Sequence, residues 1–132
     1  MGLLKGMIFG ATEVIQLVDN LNRIKEIFLD HRGPDNAISS GQVADMLGVE
    51  PGASKIKIRE LIRDAMVLHK LPLGSNNRGY YLITDEEDLR RYSRSLEKRM
   101  REIEDRKARV LVYFNDFYGF TPTLEEEDSG EG

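Results

Sequence analysis

From Thr12 to about Asp30 the apolar residues Val14, Leu17, Val18, Leu21, Ile24, Ile27 and Phe28 recur at intervals of three and four. That spacing describes one face of an amphipathic helix. The stretch Arg32-Gly33-Pro34-Asp35-Asn36 stops it with turn-forming residues, and Ala37-Ile38-Ser39 reads as a short extended piece. Ser39 or Ser40 can cap a second helix, Gly41 to Leu47, with Val43, Ala44 and Leu47 inward and Gly48 at its end. Val49-Glu50-Pro51-Gly52 then makes a tight connection. Ser54 is positioned to cap a longer helix to about His69, whose inner face is Ile58, Leu61, Ile62, Ala65 and Met66.

The period then changes. Leu71-Pro72-Leu73 and Tyr80-Tyr81-Leu82-Ile83 read as short strands flanking Gly74-Ser75-Asn76-Asn77-Arg78-Gly79. Gly and Asn in that loop can supply the positive φ angles a hairpin needs. Pro72 lacks a backbone donor, so its strand should be short or lie at an edge. Thr84-Asp85-Glu86-Glu87 has the form of a capping box with Thr84 as cap, and it opens a helix to about Asp116. The expected fold is therefore mainly α with a small β-hairpin: a winged helix-turn-helix followed by a long C-terminal helix. Four segments result: a flexible arm (1–11), the winged domain (12–83), the long helix (84–118) and an acidic, solvated tail (119–132).

Charge sharpens this picture. The 132 residues carry 19 basic and 23 acidic side chains, net −4. Residues 50–83 hold six basic and three acidic groups, whereas residues 110–132 hold no basic group and six acidic ones. The acidic balance thus belongs largely to the tail, and the centre is basic enough to meet a nucleic acid. Cysteine is absent and there are two histidines, His31 and His69, so disulfides and thiolate zinc sites are excluded. Gly74 to Gly79 has the span of a phosphate-binding loop, but Tyr80-Tyr81 stands where Lys and Ser/Thr would be required. No apolar run reaches the roughly 20 residues of a membrane helix. A cytoplasmic protein that is not an enzyme, with no metal and no cofactor, is expected.

Two helices joined by a short turn, a basic second helix and a hairpin in direct succession outline a DNA reader. With Ile58 and Ile62 inward, Arg59, Arg63 and Ile56 face out, and Lys55 and Lys57 flank the helix start. Arg59 suits bidentate contact with guanine; Lys55, Lys57 and Arg63 suit phosphates. Ser40, Gln42 and Ser54 can reach the backbone, and Asn76, Asn77 and Arg78 form the tip of the wing. Glu60 and Asp64, read as lying on the same outer side, dilute the basic face.

Ile58 to Met100, with its Leu-Pro-Leu-Gly-Ser and Arg-Gly-Tyr-Tyr-Leu-Ile strands and acidic-capped helix, resembles winged helix-turn-helix proteins of bacteriophages and prophages. Those are distantly similar to the DNA-binding domain of the biotin repressor. The resemblance runs from Ser39 to Met100 and implies DNA binding through recognition helix 54–69 and wing 71–83. The junction Val67-Leu68-His69-Lys70 departs from it, having no glycine where the family usually has one.

In the last helix Leu96, Met100, Ile103, Val110, Phe114 and Phe117 follow the alternating spacing of a heptad seam, with Lys107 filling the gap. The seam is expected to make a homodimer; the alternative is that this face packs on the first helix. The alternative for Val110 to Phe114 is a strand, since a short apolar run does not reveal its period. Double-stranded DNA is the expected partner, for a phage or bacterial transcription regulator. The alternative is a protein-binding adaptor in replication, packaging or host takeover, using the aromatic C-terminus and Glu125-Glu126-Glu127-Asp128.

Overall fold

The computed structural model describes residues 10–49 and 55–124. Its elements are α1 (Ala11–Leu29), α2 (Ser40–Leu47), α3 (Lys55–His69), β1 (Leu73–Asn76), β2 (Gly79–Leu82) and α4 (Glu86–Tyr118). The protein is mainly helical with one antiparallel hairpin and a long C-terminal helix, in the order of a winged helix-turn-helix. It forms two compact units, one ending at Tyr92 and one beginning at Ser93. No described helix is long and apolar enough to cross a membrane. Residues 1–9 of the expected arm, most of the α2–α3 connection and the acidic run Glu125 to Asp128 lie outside the described residues; Ala11, assigned to the arm, is helical.

In the first unit the predicted inner faces converge. Leu17, Leu21, Ile24 and Phe28 of α1 meet Val43 and Leu47 of α2 and Ile58, Leu61, Ile62 and Ala65 of α3, and Ile38 from the α1–α2 loop joins the same cluster. Ser39 is the α2 cap: its Oγ accepts from the Gln42 amide at 3.1 Å, while Gln42 Oε1 accepts from the Ser39 amide at 3.0 Å. The other end of α2 is held from a distance. Arg23 on α1 donates to the carbonyls of Met46 and Leu47 at 2.8 and 3.1 Å, placing a cation where the helix dipole is negative.

The end of α3 explains the missing glycine. Lys70 adopts a left-handed φ of 54°, the conformation a glycine would favour. The Leu71 amide donates back to the Met66 carbonyl at 3.0 Å, closing the helix and burying Leu71.

The hairpin is shifted from its expected position. Leu71 and Pro72 lie outside it; β1 begins at Leu73 and pairs with β2 from Leu73↔Leu82 to Asn76↔Gly79, leaving Asn77-Arg78 as a two-residue turn. Neither asparagine takes a positive φ. Instead Asn76 Oδ1 accepts from the amides of Arg78 (2.9 Å) and Gly79 (3.2 Å), so a side chain shapes the turn. The far edge of β2 is covered by the α1–α2 loop: Ile38 and Tyr80 exchange two backbone bonds of 2.8 Å, and Leu82 bonds His31 and Gly33. Gly79 must be glycine here. Its φ is 140°, and a Cβ would stand 2.1 Å from the Ile38 carbonyl oxygen.

Two further expectations are corrected. Asp85 caps α4, accepting from the Asp88 amide at 2.8 Å, in place of Thr84 one residue earlier; a short carboxylate serves as well as a hydroxyl there. Asp64 is buried, at 4% exposure, and so does not dilute the outer face. At about 100° per residue, it falls on the flank of α3 shared with Leu61, whereas Arg59 and Arg63 share the opposite flank with Ile62 and Met66.

In the second unit, Val110 to Phe114 is helical, and α4 runs on to Tyr118. The chain then turns at Gly119, and Phe120 meets Phe114 edge-on with ring centres 5.5 Å apart. Phe120 therefore touches another ring while remaining largely exposed.

Candidate nucleic-acid interface

The basic residues of α3 follow the helical period that buries its apolar stripe. Lys55, Lys57, Arg59 and Arg63 are all exposed, whereas Ile58 and Ile62 are 3% and 2% exposed. Among the described residues the ion pairs are Arg90–Glu86 and Arg91–Glu87, both on α4. Lys55, Lys57, Arg59, Arg63 and Arg78 enter neither.

Arg59 stands where two hollows meet. One, a groove of about 410 Å³, runs between the start of α2, α3 and the wing, lined by Ser39, Ser40, Arg59, Ser75, Asn76, Asn77, Arg78, Gly79 and Tyr80. The other, about 220 Å³, lies beside β1 and is lined by Arg59, Arg63, Ile62, Met66, Leu73, Gly74, Ser75, Tyr80 and Tyr92. Residues far apart in sequence (Ser40, Arg59, Asn76, Asn77 and Arg78) therefore share one surface. Two cations and several neutral donors around an open groove suit a polyanion.

Not every expected residue has a free side chain. Asn76 is engaged at both ends, since its Nδ2 also donates to the Pro34 carbonyl at 3.0 Å. Gln42 is exposed, but its carbonyl oxygen is used by the cap, leaving its NH₂ group to reach outward. Lys57 lies on the Leu61 flank of α3, away from the wing. Ser54 lies outside the described residues. Ser39, Ser75 and Tyr80 line the groove without having been singled out. For Tyr80 a signal existed: strand alternation puts it opposite in facing to the buried Tyr81.

The wing is braced from below. Tyr81 is 5% exposed, its ring stacks edge-on to Tyr92 at 6.5 Å, and Ser75 Oγ lies 3.5 Å from the Tyr92 hydroxyl. Gly74 leaves room for that ring, because a Cβ there would stand 2.6 Å from it. Burial, then the nearby Asp88 carboxylate and Tyr92, raise the Tyr81 phenol above its ordinary pKa and keep it neutral.

On α4 the seam residues are largely exposed: Leu96 39%, Met100 62%, Ile103 61%, Val110 59% and Phe117 80%, with Phe114 half-buried. Among the described residues no cluster of three or more His, Asp or Glu is arranged to hold a metal ion. Comparison with family models, curated proteins and solved structures finds no match to this chain.

Proposed function

We propose that this protein binds double-stranded DNA sequence-specifically, as a non-enzymatic transcription regulator in the cytoplasm of a bacterium or phage-infected cell. The observation that carries the reading is Arg59: exposed, in no ion pair among the described residues, and lining the same groove as Arg78 of the wing. In this reading the first turns of α3 enter a major groove, where the Arg59 fork meets the O6 and N7 acceptors of a guanine. Lys55, Lys57 and Arg63 meet phosphates and set the register. Arg78 and Asn77 extend from the hairpin to the adjoining backbone, and Ser40 and the Gln42 NH₂ group approach the backbone from α2. The resemblance of Ile58 to Met100 to phage winged helix-turn-helix proteins supports the same reading.

The test is selection of bound duplexes from a random pool, followed by salt titration of the selected site. Enrichment of one sequence, with affinity falling steeply in salt, is expected; absence of binding at low salt would remove the proposal.

A second reading, a protein-binding adaptor, is favoured by the exposed rings at and just beyond the end of α4: Tyr113, Phe117, Tyr118 and Phe120, at 61%, 80%, 61% and 56% exposure. Replacing Tyr113, Tyr118 and Phe120 with alanine would then abolish capture of the partner while leaving duplex binding intact.

A further inference from the structure

The face of α4 that carries the seam has two rows. Leu96, Ile103, Val110 and Phe117 occupy one core position of the heptad (d), and Met100, Lys107 and Phe114 the other (a). Between Leu96 and Phe117 the helix is unbroken, and all but Phe114 of these apolar side chains are exposed. Rows of this kind need a partner helix, and the residues beside them specify which. Immediately after the d row stand Glu97 and Glu104; immediately before the a row stand Arg99 and Arg106. Over the first half of the seam one flank is acidic and the other basic, and beyond it both flanks are apolar or aromatic (Leu111, Tyr113, Tyr118).

That segregation distinguishes the possible pairings of two identical helices. If they run parallel and in register, the basic flank of each copy faces the acidic flank of the other, and Arg99 of one copy lies opposite Glu104 of the second, five residues on. If they run antiparallel, like flanks meet: Arg99 and Arg106 oppose each other, as do Glu97 and Glu104. Neither Arg99 nor Glu104 is consumed by an ion pair within its own helix; the ion pairs among the described residues are the two at the start of α4. Lys107, alone and polar in the seam, aligns with its counterpart only in the in-register arrangement.

We infer that a second copy of this chain covers the seam, forming a parallel, in-register, two-stranded coiled coil from Leu96 to Phe117. The inference does not depend on DNA binding. Its consequence is that the Glu86 ends of the two helices lie together.

Because the chain has no cysteine, the polarity can be read with single thiols. Leu96→Cys (d row) and Lys107→Cys (a row), which face each other in the antiparallel alignment, are made separately in the full chain, oxidised and run without reductant. The parallel arrangement gives a disulfide-linked dimer from each variant alone. A link appearing only when the two variants are mixed would overturn it, as would a monomer mass by light scattering for the unaltered chain at high micromolar concentration. Charge reversal gives an independent readout with opposite signs. Arg99→Glu is expected to raise the dimer dissociation constant roughly tenfold in the parallel pair, since two facing pairs change from attraction to repulsion. The added change Glu104→Arg is expected to restore it. Tighter association of Arg99→Glu, the result that relief of Arg–Arg repulsion would give, would overturn the inference.

Discussion

Single residues at turns and under the wing set local stability in ways that burial alone does not reveal. Lys70 holds a left-handed φ of 54° at the end of α3, a conformation that costs an L-residue about 1–2 kcal/mol. Lys70→Gly relieves this but loosens the unfolded chain, so a net gain of roughly 0.5–1 kcal/mol is expected, seen as a higher urea midpoint at unchanged slope. Gly79 is the reverse case: with φ at 140° and the Ile38 carbonyl against it, Gly79→Ala is expected to cost on the order of 2–4 kcal/mol. Tyr81 gives a pH dependence. Its phenol is raised in the folded state by burial first and then by Asp88 and Tyr92, so the folded chain holds that proton more tightly than the unfolded chain. The stabilisation is full below the ordinary tyrosine value of about 10 and is lost as pH rises through the raised one. Urea titrations between neutral and strongly alkaline pH should show this loss, and Tyr81→Phe should flatten it.

Among the elements, α1, α2 and α3 follow from periodicity and end signals in the sequence, because burial on one face leaves a three-to-four spacing. Asp64 departs from that simple reading because it sits at the border of the stripe, where the neighbouring elements decide exposure. The hairpin was legible as a hairpin but not in its limits. Its turn depends on Asn76 bonding Arg78, Gly79 and Pro34, and the Pro34 carbonyl comes from 42 residues away. The long helix carries its own prediction. Lys107 introduces a charge into an otherwise apolar seam, a feature that limits oligomer number at a cost in stability. Lys107→Ile is expected to raise the thermal midpoint of the proposed α4 coiled coil while permitting species larger than two, measured together by circular dichroism and sedimentation.

For the whole molecule, the proposed interface depends on the summed charge of α3 and the wing, not on the net −4 of the chain. Lys55→Ala is expected to weaken all duplexes about equally and to lower the salt slope by roughly one ion, whereas Arg59→Ala should cost about 1–3 kcal/mol at one base position and relax the preference there. Competition binding with cognate and scrambled duplexes at several salt concentrations separates these effects. Local sequence determined the helices, their inner faces, the presence of a hairpin and the cationic character of α3, since each is written in spacing and residue type along a short stretch. The tertiary structure decided which residues share the groove: Ser40, Arg59 and Arg78 come together because the α1–α2 loop pairs with β2 and draws the wing against the helices. It also decided which polar groups are spent, taking Asn76 and the Gln42 carbonyl for shape and leaving Arg59 in no ion pair among the described residues. Those outcomes depend on hydrogen bonds and packing between distant segments, and no periodicity within one segment encodes them.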